Sequence, residues 1–229
     1  MCELRGDVYG DFERGSYIAK QDELRLLAPC EPTKIVGVGL NYRHLIDEVG
    51  ADIPDVPLIF LKPPSAVIGP ADSIILPRMS NQVVFEAELA IVMKRQAKHI
   101  PPSEVQTYVL GYTCGNDVTA RDLPKKDTRT KSFDTFCPLG PCVATGVDAG
   151  NLMIRSRVNG QVRQEASTQD MVFSVAPLVS SVSQVMTLEP GDVILTGTPR
   201  GAGTLSIGDV VEVEIEGIGT LVNRVVADT

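Results

Sequence analysis

The sequence predicts a mostly β (α+β) domain with a few short helices and a small β-rich N-terminal appendage. Short apolar runs at 35–38, 58–61, 73–76, 83–93, 109–114, 152–158, 193–196 and 210–215 are separated by glycine or proline, as many short strands joined by turns require. Asn159-Gly160 lies between two strand-like segments, and this dipeptide accepts the positive φ that both turn positions of a tight hairpin need. Helical periodicity is confined to brief stretches.

Residues 1–33 are polar and broken by glycine, and Pro29 and Pro32 mark a boundary at their end. The expected division is therefore an appendage at 1–33 and a main domain at 34–229. Three helices are expected: a short one at 44–49, one at 103–109 after Pro101-Pro102, and one at 175–186. The last has apolar residues at Val175, Leu178, Val179, Val182, Val185 and Met186. Gly191-Asp192 and Gly208-Asp209 read as further turns of the hairpin kind. There is no internal repeat and no low-complexity tract.

A chain of 229 residues is long enough for one domain with a sizeable core. Its formal charge of −8, without any basic block, argues against nucleic acid or an anionic membrane as partner. No segment approaches the roughly 18 consecutive apolar residues of a membrane span, and 1–15 has no signal-peptide core. A soluble cytoplasmic protein is expected. The five cysteines are odd in number and irregularly spaced, which suits reduced thiols. With only His44 and His99 and no close cysteine pair, a zinc site is not expected.

The run 83–93 holds two charges, Glu86 and Glu88. On a strand of period two they point to one side, about 7 Å apart along the backbone. Glu212, Glu214 and Glu216 alternate with Val211, Val213 and Ile215, an ordinary wet face. Around Glu86 the apolar residues instead run on without alternation, as in a strand covered on both sides. Carboxylates kept in such a strand need a cation. Two of them converging on one site suit Mg²⁺, Mn²⁺ or Ca²⁺ rather than Zn²⁺. A third carboxylate is available in Asp117, directly after the run 109–114, although spacing alone reads Asn116-Asp117 equally well as a turn.

The chain resembles the fumarylacetoacetate hydrolase family from about Leu26 onward. The blocks that carry the resemblance are KIVGVGLNY (34–42), FLKPPSAVIGP (60–70), FEAEL (85–89), GNDVTARD (115–122), KSFDTFCPLGP (131–141), VNGQVRQE (158–165) and LEPGDVILTGTPRGAG (188–203). The resemblance implies a catalytic domain of twisted β-roll form, a homodimer, and one Mg²⁺ or Mn²⁺ held by Glu86, Glu88 and Asp117. It implies a place beside the metal for Lys131, where an ammonium stabilises an enolate or orients a ligand carboxylate. It implies substrate contact at Thr198 and the adjoining Gly197. Lys62 matches the family's Phe-Leu-Lys-Pro lysine, whose work is either at the substrate or in pairing a nearby acid.

Three departures stand out. The family's lid helix carries a histidine and a glutamate as a base dyad; Glu48 is in place, but the histidine position is Leu45, and His44 comes one residue early. A one-residue step turns a helical side chain by about 100°, so His44 is either a base set by Glu48 or Asp47 or a solvated surface group. Pro124 replaces a frequent glutamine, and the connection 125–130 is about three residues short. A 2-oxo acid chelating the ion has a polarised carbonyl, so isomerisation and decarboxylation both pass through a stabilised enolate. C–C bond hydrolysis also needs an activated water and a base. The displaced histidine favours isomerase or decarboxylase chemistry, as in the 2-hydroxyhepta-2,4-diene-1,7-dioate isomerase branch of aromatic-compound catabolism. Acylpyruvate hydrolysis is the alternative, and a non-catalytic, metal-stabilised acid-binding protein is the third.

Overall fold

The computed structural model describes residues 1–20, 23–124 and 127–228. The chain opens with a hairpin of β1 (Cys2–Gly6) and β2 (Phe12–Tyr17), paired only with each other. Then come β3 (Ile35–Gly39), helix α1 (Arg43–Val49), β4 (Leu58–Lys62), β5 (Val67–Ile68), β6 (Ser73–Leu76), β7 (Val83–Val84), β8 (Ala87–Met93), β9 (Val109–Asn116) and β10 (Thr119–Ala120). The remainder is helix α2 (Arg129–Ser132), β11 (Cys137–Ala144), β12 (Met153–Val158), β13 (Gln161–Ser167), helix α3 (Val175–Val185), β14 (Val193–Leu195), β15 (Val210–Ile215) and β16 (Gly219–Ala227).

Two sheets make up the body: a seven-stranded one in the order β4-β3-β14-β8-β9-β11-β5 and a five-stranded one in the order β13-β12-β15-β16-β6. Strand β8 is near the middle of the larger sheet, between β14 and β9, and every one of its residues is buried. Leu89, Ile91 and Met93 join one apolar cluster with Ile154, Val213 and Leu178, while Ala90 and Val92 join another with Ile35, Phe136 and Leu139. The unbroken apolar run thus reflects burial on both faces. The alternating 210–215 run has its glutamates on the wetter side, where Arg157 pairs with Glu214 at 2.6 Å.

Three local expectations are corrected. The run 83–93 is two strands rather than one: β7 pairs with β10, β8 joins the large sheet, and Phe85 and Glu86 lie in the break. At the break the backbone finds other partners, Phe85 N–H donating to Gly203 and Glu86 N–H to the Asn116 side chain. The 103–109 helix is a 3₁₀ helix over Pro102–Thr107, a single tight segment between the two prolines and β9. Asn159 (φ 52°) and Gly160 (φ 76°) form the expected hairpin turn between β12 and β13. The segments 189–192 and 206–209 are instead four-residue turns with a positive-φ glycine third, leading into β14 and β15 without forming hairpins. Among the described residues, no helix is long and apolar enough to cross a membrane.

Candidate active site

The site forms where the β7–β8 break meets the end of β9. The Asp117 N–H donates to the Glu86 carbonyl at 2.9 Å, which fixes the two loop ends side by side. Glu86, Glu88 and Asp117 then converge, with one carboxylate oxygen from each lying within 4.8 Å of the others. All three are buried, Glu88 and Asp117 to 1 % exposure.

Cations surround two of the three acids. Asp117 accepts from Lys62 Nζ at 2.6 Å and also from Lys131 Nζ, which reaches Glu86 at 2.8 Å as well. Arg121 donates to the other Glu86 oxygen at 2.8 Å. Burial raises the Asp117 pKa, but Lys131 and Lys62 outweigh it and hold the carboxyl below its ordinary value. Burial likewise opposes the charge of Lys131, yet Asp117 and Glu86 prevail and its pKa is raised. Glu88 is different: burial, then the like charges of Asp117 and Glu86, push its pKa well above the ordinary carboxylate value. It accepts a hydrogen bond from the Gly197 N–H at 2.7 Å, and it has no ion pair among the described residues.

This donor set fits a hard divalent cation. Three carboxylate oxygens converge, and one of the acids is a buried group with no ion pair among the described residues, on which burial and the neighbouring carboxylates outweigh the more distant charge of Lys131. Gly197 is part of the same construction. It sits at φ 96°, and a Cβ there would fall 2.9 Å from the Asn41 Cβ and 3.1 Å from the Val38 carbonyl, so the close approach of its N–H to Glu88 requires glycine.

Above the acids lies a cavity of about 330 Å³, lined by Glu86, Glu88, Asp117, Lys131, Arg121 and Thr198 and roofed on the α1 side by Leu45, Glu48 and Val49. Lys131 comes from α2, with its ammonium 4.8 Å from the centre of the Phe60 ring. Helix α1 ends at Gly50 in the left-handed conformation, φ 63°.

Of the residues singled out from the sequence, Glu86, Glu88, Asp117, Lys131, Glu48 and Thr198 come together around this cavity. His44 does not border it: its Nε2 lies 4.0 Å from Asp170, and its side chain is 56 % exposed. The one-residue step has put Leu45 on the cavity face instead. Lys62 does not border the cavity either; it is buried behind Asp117, donating also to the Val118 carbonyl at 3.1 Å. Of the shortened 125–130 connection, Lys125 and Lys126 lie outside the described residues.

Lys62→Met is expected to lower stability by about 3–5 kcal/mol in denaturant titration, because it strips a buried carboxylate of a partner. A loss below about 1 kcal/mol would show that Lys131 alone suffices to neutralise Asp117. Three residues were not legible from spacing. Arg121 closes the cavity wall, Asn116 holds the Glu86 backbone, and Gln164 bonds behind the site from β13. Arg121 had a signal, its place four residues after Asp117 in the same motif.

A family model described as fumarylacetoacetate (FAA) hydrolase C-terminal matches residues 34–226. The crystal structure of 5-carboxymethyl-2-hydroxymuconate delta-isomerase from Mycobacterium smegmatis superimposes with a TM-score of 0.92 at 44% identity, covering 99% of this chain and 90% of that one. The mitochondrial oxaloacetate tautomerase Fahd2a of Rattus norvegicus is 43% identical over 221 residues, 90% of this chain and 71% of that protein. Maleylpyruvate hydrolase from Sphingobium sp. SYK-6, solved in complex with manganese (II) ion and pyruvate, gives a TM-score of 0.81 at 31% identity, covering 95% of this chain and 78% of that one.

Proposed function

The chain belongs to the fumarylacetoacetate hydrolase family, and from that premise we propose that it is a divalent-metal-dependent isomerase of keto–enol type, acting on a 2-oxo acid or 2-hydroxy-dienoate. The observation that carries the reading is the convergence of Glu86, Glu88 and Asp117 beneath a cavity walled by Lys131 and Arg121. The relatives named as a tautomerase and an isomerase act on substrates of this class by name. The structure named with manganese and pyruvate supports Mn²⁺, or Mg²⁺ by similar oxygen chemistry.

Glu86, Glu88 and Asp117 would hold the ion, which when bound supplies Lewis-acid polarisation of the 2-oxo group. The protein's own groups do the rest. Lys131 presents an ammonium to the negative charge that develops on the 2-oxo oxygen. Arg121 and the 197–198 loop orient the acid. Glu48 is the carboxylate on the α1 side of the cavity, placed to take a proton from the adjacent carbon and return it in the reverse direction. Leu45 beside it excludes water from that carbon. Decarboxylation of a 3-carboxy-2-oxo acid draws on the same charge stabilisation.

C–C bond hydrolysis, the second reading, needs a water held by a base. It is supported by Glu48 in the cavity and weakened by Leu45 where the family has histidine. His44→Ala is accordingly expected to lower kcat/KM for isomerisation by less than about tenfold, since loss of a working general base costs about 10²–10⁴. A loss in that larger range, with the fold intact, would place His44 in the proton path.

The direct test uses EDTA-treated protein and the enol form of oxaloacetate, followed by its ultraviolet absorbance. Ketonisation above the spontaneous rate should return with Mn²⁺ or Mg²⁺. No acceleration with either ion would reduce the chain to an acid-binding protein. We also propose that the working unit is a homodimer, for which the exposed Leu58 and Leu61 on edge strand β4 offer apolar surface. A monomeric mass in light scattering at micromolar concentration would contradict this.

A further inference from the structure

Gln164 is buried to 1 % exposure on β13 and uses its whole side-chain amide in hydrogen bonds. Its Oε1 accepts from the Ala87 N–H at 3.1 Å and from Ser156 Oγ at 3.0 Å. Its Nε2 donates to the Pro199 carbonyl and to Thr198 Oγ1, both at 2.7 Å. A backbone N–H can only donate and a carbonyl can only accept, so Ala87 and Pro199 between them fix which end of the amide is oxygen.

The orientation propagates to Thr198. Because Gln164 donates to Thr198 Oγ1, the hydroxyl is an acceptor there, and its single proton goes to the Ala87 carbonyl at 2.9 Å. Ala87 is the residue between Glu86 and Glu88, so the same network ties the cavity threonine to the segment that presents both carboxylates. A hydroxyl has one proton and two lone pairs. With the proton and one lone pair committed, any bond Thr198 Oγ1 adds in the cavity is one that it accepts. A ligand carboxylate oxygen has no proton to offer it.

We infer that Gln164 is a specificity-determining positioning residue: by holding Thr198 Oγ1 where its proton goes to the Ala87 carbonyl, it makes the cavity favour a ligand that presents an O–H there, an enol or 2-hydroxy group, over one whose oxygens can only accept. The inference rests on the proposed reading of the cavity as a metal-dependent 2-oxo acid site. It identifies how the protein itself distinguishes the two tautomers it would interconvert.

The test is calorimetric titration of lactate, which carries a 2-hydroxyl, and pyruvate, which does not, into protein saturated with Mn²⁺. In Gln164→Met, a chain of the same length without hydrogen bonds, Thr198 Oγ1 loses the donor that holds it, and the side chain is free to turn its proton from the Ala87 carbonyl toward a ligand oxygen. The affinity ratio of lactate to pyruvate should then fall by about fivefold or more relative to wild type, the range of one hydrogen bond. A merely structural role would weaken both ligands alike and leave the ratio untouched. Should the methionine variant not fold, Gln164→Asn, whose amide stops one carbon short of Thr198, and Thr198→Val, which removes the acceptor, are held to the same fall. A ratio within about twofold of wild type in the folded variants overturns the inference while leaving the site reading intact. Wild-type protein that binds neither acid at saturating Mn²⁺ overturns both.

Discussion

Asp117→Ala is expected to remove Mn²⁺ binding and to cut metal-dependent turnover of oxaloacetate by at least about 10²-fold, the scale on which a group that stabilises developing charge is missed. Two effects act together. One of three convergent carboxylate oxygens disappears, and the two lysines that were paired with Asp117 lose a partner. Lys62 is then a buried ammonium with, among the described residues, only the Val118 carbonyl to accept from it, so a fall in stability should accompany the loss of activity. Measuring Mn²⁺ affinity and thermal unfolding on the same sample separates the two. Retained Mn²⁺ affinity with a folded variant would place the ion elsewhere.

Glu48→Gln should have the second large effect, a fall in kcat of about 10²–10⁴ with Mn²⁺ affinity unchanged. The amide keeps the shape and polarity of the side chain on α1 but cannot take a proton at neutral pH. Glu48 lines the cavity from α1 and is not one of the three convergent carboxylates, so the ligands of the ion are unchanged by the substitution. Because His44 faces Asp170 rather than the cavity, no imidazole stands ready to replace it. Activity within about threefold of wild type would mean that the proton reaches carbon by another route, with solvent the first alternative.

The parts of this site legible in the sequence are those set by local periodicity. The unbroken apolar run 89–93 does mark a strand buried on both faces, and Glu88 stands on that strand, but Glu86 reaches the same site from the break before it rather than from a shared strand face. The step from His44 to Leu45 was legible for the same reason, since the 100° turn per helical residue decides which side chain meets the cavity. What remained hidden depends on contacts between distant segments. The strand breaks at Glu86 because the Asn116 side chain, 30 residues away, takes its N–H. Glu88 is held by Gly197 at a separation of 109 residues, and Gln164 reaches Ala87 across 77. Lys62 looks from its motif equally suited to substrate or to structure; only its burial behind Asp117 tells the two apart. A spacing pattern carries no information about such pairings, which the folded sheet order alone creates.

The most direct test of the account is a calorimetric titration of EDTA-treated wild-type protein with Mn²⁺, repeated on Glu88→Ala and Asp117→Ala. The account predicts one ion per chain in the wild type and loss of that binding in both variants. Wild-type protein that binds no ion, or variants that bind it as tightly as the wild type, would contradict it.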